Sequence, residues 1–193
     1  ADAAYWRDAF ADDPEVAGMA PGTAVSARRA HRCAVALPDS IAATLARLGQ
    51  PWPDALAALT AAYVRRHTGG EEAVIGLAFM GRLGSPAARV PCTLMNVLPA
   101  RLRPDESLPL AEMLRDMAPP LVKLRHHGRY RGEQLRRDLG RLTAGRRLFG
   151  PLVNLLPFDS LPTFPGLEVH QHVLGTGPVD DITFNFRAAP TGF

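Results

Sequence analysis

The stretch that decides the fold covers residues 52–80 and reads WPDALAALTAAYVRRHTGGEEAVIGLAFM. Its first part is apolar around nearly the whole helical circumference and ends at Gly69-Gly70, which predicts a buried helix. Its last part, AVIGLAFM, is an apolar run of strand length, which predicts a strand in a covered sheet. A buried helix followed by a covered strand indicates a mixed α/β or α+β protein.

The same patterns extend to both sides of this stretch. Helices are predicted over residues 3–11, from the cap Asp39-Ser40 to residue 49, and from Ser107 onward. The last of these can break at Pro119-Pro120, because proline lacks a backbone N–H, and it resumes over residues 135–139. Extended segments are predicted over residues 25–37, 93–102, 148–158, 167–174 and 180–187.

Composition excludes several classes of protein. The chain has 193 residues, of which 47% are hydrophobic and 21% charged, as in ordinary globular domains. Disordered, collagen-like and disulfide-scaffold proteins are therefore excluded, and no apolar run approaches the ~18 residues of a membrane span. The polar N-terminus has no signal-peptide pattern. Cys33 and Cys92 lack CxxC spacing, which favours reduced, mostly buried thiols in a cytoplasmic protein.

Positive charge is concentrated in residues 115–147, which hold ten basic and three acidic side chains, a net charge of +7. Such a segment can be a solvated helix face, or it can bind an acidic protein or a nucleic acid. Only Tyr130 interleaves the charges, so base stacking is poorly provided for and a nucleic-acid partner is not expected.

Two histidine pairs have the spacing of functional motifs. The sequence HHGRYRG at 126–132 resembles the HHxxxDG signature of chloramphenicol-acetyltransferase-type enzymes, in which the second histidine is the general base. Arg131 stands where that motif has its aspartate, which inverts the local charge, so we expect no catalytic role for this pair. His170 and His172 share one face of a predicted strand, but no third ligand is evident, so no metal site is expected.

Six segments occur in the order of a known family. They are YWRDAF (5–10), the stretch 52–82, CTLMNVLPARL (92–102), HGRYRGEQL (127–135), GRRLFGPLVNL (145–155) and PVDDITFNF (178–186). The third resembles the motif GxFVNTLPLR, and the fifth resembles RxPLFxxxFN. Together the six resemble the C-terminal lobe of the condensation domain of nonribosomal peptide synthetases.

The resemblance implies a chloramphenicol-acetyltransferase-like half with a central mixed β-sheet flanked by helices. Residues 1–193 would form a single domain, the C-terminal lobe, ending before the lobe's final strand and helix. Such a domain forms an amide bond between a donor acyl or peptidyl thioester and an acceptor aminoacyl thioester. Phosphopantetheine is carried by the partner carrier proteins, so no cofactor of the chain's own is implied.

The resemblance also assigns roles to residues. Arg101 would pair with the aspartate of the HHxxxDG motif in the N-terminal lobe, and Asn96 and Asn154 would line the substrate tunnel or the lobe interface. No catalytic residue is expected here, so the chain alone should be inactive. A basic surface could contact an acidic carrier protein through Arg129, Arg131, Arg136 and Arg137.

Two alternatives stay open. The chain could be a non-catalytic, condensation-like docking module that recruits a carrier protein or a partner enzyme. It could also be a small basic binding protein unrelated to synthetases, which salt-sensitive nucleic-acid binding would indicate. An isolated lobe also exposes the face that meets its partner lobe, so the chain could self-associate through that face.

Overall fold

The computed structural model describes residues 1–20, 31–82, 86–142, 147–157, 164–170 and 179–188. The helices are α1 (Asp2–Ala9), α2 (Asp39–Arg47), α3 (Trp52–Thr68), α4 (Leu110–His126) and α5 (Gly132–Asp138), with a short 3-10 helix at Pro86–Arg89. The strands are β1 (Ala73–Phe79), β2 (Asn96–Leu102), β3 (Leu152–Leu156) and β4 (Thr183–Arg187).

The four strands form one mixed sheet in the order β2-β1-β3-β4. The first two strands pair antiparallel, whereas β1–β3 and β3–β4 pair parallel. Helix α3 packs on α4, β1 and β3, and α4 also packs on β2. The predicted mixed sheet flanked by helices is therefore confirmed.

The stretch 52–80 forms the centre of the core. Seven residues of α3 are buried, and the first five residues of β1 are buried on both faces of the sheet. Gly76 lies at the middle of β1 because the ring of Phe149 packs directly against it, and a Cβ there would lie 2.5 Å from that ring. Gly69 ends α3 in the left-handed conformation, at φ +74°, which glycine adopts without strain.

Helix α4 does not break at Pro119-Pro120, as the sequence suggested it could, but continues through both residues to His126. Each proline deprives a carbonyl four residues earlier of its hydrogen-bond donor. Those carbonyls belong to Arg115 and Asp116, which are exposed. Water can therefore replace the lost donors at little cost.

Other predictions of local structure are wrong. Residues 31–37 of the predicted strand 25–37 form no strand and are largely exposed, and residues 21–30 lie outside the described part of the chain. Residues 167–170 likewise form no strand, and 171–174 are not described. Helix α2 begins after Pro38 without a side-chain cap. Cys33 and Cys92 are free but exposed, not buried.

Among the described helices, none is both long and apolar enough to cross a membrane.

Candidate functional site

Arg101, near the end of β2, uses all five of its N–H groups within the chain. Nε and Nη2 donate to the two carboxylate oxygens of Glu72, at 3.2 and 2.6 Å. Nη1 and Nη2 donate to the two oxygens of Asp12, at 2.7 and 2.9 Å. The remaining N–H of Nη1 donates to the carbonyl of Ala9, at the end of α1, at 2.5 Å. The guanidinium therefore has no free donor in this arrangement.

The two carboxylates differ in their access to solvent. The side chains of Arg101 and Glu72 are 16% and 15% exposed, whereas that of Asp12 is 61% exposed. Glu72 is thus the inner partner of the guanidinium and Asp12 the outer one. The group borders a cavity of about 550 Å³ between α1, β2 and α4. Arg103 and Lys123 also line this cavity.

The hydrogen bonds keep the outer pair ionised. The bond from Arg101 lowers the pKa of the Asp12 carboxyl, and the same bond raises the pKa of the Arg101 guanidinium. Hydrogen bonds to an ionised form favour that form, which accounts for both directions. Asp12 therefore remains a carboxylate at any pH near neutrality.

Asn96, at the start of β2, binds the connection between α4 and α5. Its Nδ2 donates to the carbonyls of Gly128 and Tyr130, at 3.0 and 2.7 Å, and its Oδ1 accepts from the N–H of Gly132 at 3.0 Å. One side chain thus satisfies three main-chain groups that lie 32 to 36 residues away. A Cβ on Gly132 would lie 2.6 Å from the carbonyl of Val97, so only glycine fits this close approach.

Asn96 therefore holds the α4–α5 connection at one end of β2. Arg101 holds the end of α1 at the other end of the strand. The sequence model of the family described as "Condensation domain" matches residues 1–172, which include β2. The chain belongs to the condensation-domain family.

Relatives and solved structures agree with this assignment. The chain is 38% identical over 188 residues to a dimodular nonribosomal peptide synthase of Bacillus subtilis (strain 168). This alignment covers 95% of the chain and 8% of that protein. It is 42% identical over 185 residues to an isonitrile lipopeptide synthase of Streptomyces coeruleorubidus, covering 94% and 13%. It superposes on the first condensation domain of the calcium-dependent antibiotic synthetase, in complex with a substrate analogue. That match has a TM-score of 0.83 and 28% identity, and covers 99% of this chain and 43% of that one.

The chain therefore spans less than half of the solved condensation domain and a small fraction of the two synthases. The superposition confirms the chloramphenicol-acetyltransferase-like fold that the six motifs implied.

Asn154 lies on β3 of this condensation-domain chain, opposite Asn185 of β4. Its Nδ2 donates to Oδ1 of Asn185 at 3.1 Å. Asn154 and Asn96 lie on β3 and β2, which are separated in the sheet by β1. The structure therefore does not bring the three predicted tunnel or interface residues into one cluster.

The four predicted carrier-binding arginines are all exposed, on or beside α5. Arg131 lies 3.9 Å from Glu133, and Arg136 donates to the carbonyl of Arg141 at 3.4 Å. Neither Arg129 nor Arg137 makes an ion pair with the described residues. These four arginines therefore form the solvated basic surface of the chain.

Other arginines of the segment 115–147 are used inside the fold instead. Arg125 pairs with Asp54 across α4 and α3, and the buried Arg141 pairs with Asp13 at 2.6 Å. The excess of positive charge in the sequence is therefore not one continuous surface.

His127 joins α1 to the end of α4. Its ring stacks on Tyr5 at 3.9 Å between centroids, and Nδ1 lies 2.9 Å from Oδ1 of Asp2. Its carbonyl accepts a hydrogen bond from Nε1 of Trp6 at 3.2 Å. Burial raises the pKa of the Tyr5 hydroxyl. These contacts are those of a packing residue.

Metal ligands do not cluster in the part of the chain that the structure describes, where no group of three or more His, Cys, Asp or Glu side chains could hold an ion. His170 is exposed beside Glu168, at 3.3 Å. His172 lies outside the described residues.

The sequence did not reveal the acidic side chains that hold residues 12–20 in place against the rest of the fold. Asp12 and Asp13 bind Arg101 and Arg141. Asp181 accepts from the backbone N–H groups of Met19 and Ala20, at 2.9 and 3.0 Å, and its side chain is only 1% exposed. The acid-rich run ADDPE at 11–15 is the one signal in the sequence that pointed to such contacts.

Proposed function

We propose that this chain is one lobe of a condensation domain that joins two carrier-bound substrates. The amine of the acceptor attacks the thioester carbonyl of the donor, the amide bond forms, and the thiol of the donor carrier leaves with the proton. The observation that carries this proposal is the match to the condensation family over residues 1–172. Much of the rate gain in such a reaction comes from holding two tethered reactants in attack geometry.

In this proposal the chain contributes a tunnel wall and the lobe interface, and the partner lobe contributes the general base. The packing of His127 supports this division, because its ring is held between Tyr5 and Asp2. The phosphopantetheine arms arrive with the carrier proteins. We place the reaction in the cytoplasm, where the exposed free thiols of Cys33 and Cys92 would stay reduced.

Arg101 binds a carboxylate of the N-terminal lobe in this proposal. Because its five N–H groups are occupied, the incoming carboxylate must replace one of the present partners. Asp12 is the exchangeable partner, because it is 61% exposed while Glu72 is 15% exposed. Asp12 is largely exposed already and regains hydration when it is displaced, so the exchange costs little.

The basic surface formed by Arg129, Arg131, Arg136 and Arg137 binds an acidic carrier protein. Its exposure supports this role, because exposed charges steer association and stay in contact with solvent at the rim of an interface. Arg136→Glu with Arg137→Glu should lower the association rate of the carrier, and the difference from wild type should shrink at high salt. The matched control is Arg47→Glu with Arg66→Glu, on α2 and α3, which reverses the same number of exposed charges and should leave the rate unchanged. Equal rates for both variants would contradict this role.

The test of the function is reconstitution. The complete condensation domain, containing this chain and its N-terminal lobe, is mixed with a loaded donor carrier and a loaded acceptor carrier. Mass spectrometry of the acceptor arm should show the amide product. A complete domain that binds the carriers but forms no amide would contradict the proposal and favour the docking module.

A further inference from the structure

The chain makes a sharp turn after α1, and this turn directs two consecutive carboxylates to two different arginines. The N–H of Asp13 donates to the carbonyl of Phe10 at 3.1 Å, which closes the turn. Asp13 has a φ of +45°, in the left-handed region that aspartate adopts more readily than most residues with a Cβ. Asp12 pairs with Arg101 at 2.7 Å, and Asp13 pairs with Arg141 at 2.6 Å. One turn thus joins the exchangeable partner of Arg101 to a second ion pair.

The second ion pair anchors this turn in the interior of the fold. The side chain of Arg141 is only 5% exposed, and its Nη2 donates to the carboxylate of Asp13 and to the carbonyl of Pro14, at 2.6 and 3.0 Å. The same guanidinium lies 5.9 Å from the centre of the Phe10 ring, a cation–π contact at a buried side chain. The turn is therefore held on both sides of Asp12, at Phe10 and at Asp13.

Asp12 can leave Arg101 without disturbing either the guanidinium or the turn. Glu72 holds the guanidinium through two hydrogen bonds, at 3.2 and 2.6 Å, and the carbonyl of Ala9 accepts a third. Arg101 therefore keeps its orientation when the exposed Asp12 is displaced. Because the turn stays anchored, the displaced carboxylate remains beside Arg101. A group tethered in this way competes for its site at a high effective concentration.

We propose that Asp12 is a tethered competitor of the partner lobe's carboxylate for Arg101, and that Asp13 is the positioning residue that holds it there. This inference rests on the proposed function, in which that carboxylate replaces Asp12 on the guanidinium. The competitor cannot diffuse away, so it returns to Arg101 whenever the other carboxylate leaves. It therefore weakens the contact between the two lobes and keeps that contact reversible.

The experiment measures the separation of the two lobes in the complete condensation domain, without substrates. The native cysteines, including Cys33 and Cys92, are replaced by serine. One spin label is attached at Arg47→Cys, an exposed position on α2, and a second on the N-terminal lobe. Double electron–electron resonance then gives the ratio of domains with the lobes in contact to domains with the lobes apart. Asp12→Asn should raise this ratio roughly twofold to fivefold, as expected for the removal of one exposed ion pair.

Asp13→Ala should also raise the ratio, because it loses the bond to Arg141 and disfavours the left-handed turn. In the Asp12→Asn background it should add nothing, since it acts through Asp12. Asp13→Asn should stay near wild type, because asparagine adopts the left-handed conformation and its amide oxygen can accept from Arg141. Glu15→Gln is the matched control. It removes an exposed carboxylate of the same segment, one without an ion pair to the described residues, and should leave the ratio unchanged.

A purely structural role for Asp12 predicts the opposite sign, because Arg101 would be held less well and the contact between the lobes would weaken. The inference is overturned if Asp12→Asn lowers the ratio or leaves it unchanged. It is also overturned if Asp13→Ala has the same effect with and without the Asp12 carboxylate. Turnover of the unlabelled wild-type domain with loaded carriers tests the proposed function separately. The expected ratios without amide product would contradict the proposed function and leave this inference standing.

Discussion

Asn96→Ala removes three hydrogen bonds that hold the α4–α5 connection against β2. Each such bond contributes about 1 kcal/mol, so the sum is about 3 kcal/mol. The N–H of Gly132 belongs to a buried residue and is left unpaired, which raises the cost. The carbonyls of Gly128 and Tyr130 belong to half-buried residues and can recover some hydration. We therefore expect a loss of about 2–4 kcal/mol.

Urea unfolding of the chain, followed by circular dichroism, measures this loss as a shift of the midpoint at constant slope. Asn96→Asp should be at least as destabilising although the side chain has the same size, because it sets an anionic oxygen against two carbonyls. Asn154→Ala is the matched control and should cost less than about 1 kcal/mol, since it removes one exposed bond. A loss below about 1 kcal/mol in Asn96→Ala, or a wild-type midpoint in Asn96→Asp, would refute the reasoning.

Three further predictions concern stability. Because the folded chain lowers the pKa of Asp12, its contribution is present at neutral pH and is lost as the pH falls through that lowered pKa. In Asp12→Asn, the free energy of unfolding should therefore fall less steeply as the pH is lowered below neutrality. The same pH dependence as in wild type would count against the ion pair with Arg101. Gly76→Ala should destabilise the chain by about 1–3 kcal/mol, because its Cβ meets the Phe149 ring, and Phe149→Leu should recover part of the loss. Trp6→Phe should cost about 2–3 kcal/mol, because it leaves a cavity at a fully buried side chain and removes the hydrogen bond to the carbonyl of His127, and a wild-type midpoint in thermal unfolding would contradict both contributions.

The sequence predicted the central elements of the fold because burial alone specifies them. Helix α3 and strand β1 are each covered on nearly every side, so an uninterrupted apolar pattern marks them. Residues 31–37 and 167–170, the described parts of two predicted strands, were misjudged because a strand needs a partner strand, and a partner far away in sequence leaves no local mark. The two prolines of α4 show the opposite case. Proline disfavours the interior of a helix, but the helix continues here because the carbonyls that lose their donors lie at exposed residues.

The sequence singled out residues of the candidate site, but it could not predict the contacts that these residues make. The motif CTLMNVLPARL pointed to Asn96 as a residue of the substrate tunnel or lobe interface, and the structure shows in addition that its side chain binds three main-chain groups. Its partners lie more than 30 residues away, and nothing near Asn96 names them. The partners of Arg101 are nonlocal as well, at separations of 29 residues for Glu72 and 89 for Asp12. Counting charge in the segment 115–147 likewise could not separate the buried Arg141 from the exposed Arg137.

The central claim is that this chain is a lobe of an amide-forming condensation domain and does not supply its general base. The most direct measurement is the rate of amide formation by the complete domain carrying His127→Asn, whose side-chain amide can still donate to Asp2. We predict a rate within about threefold of wild type, whereas loss of a general base costs about 10²–10⁴-fold. A loss of that size with the fold intact, or no amide product from the wild-type domain, would contradict the account.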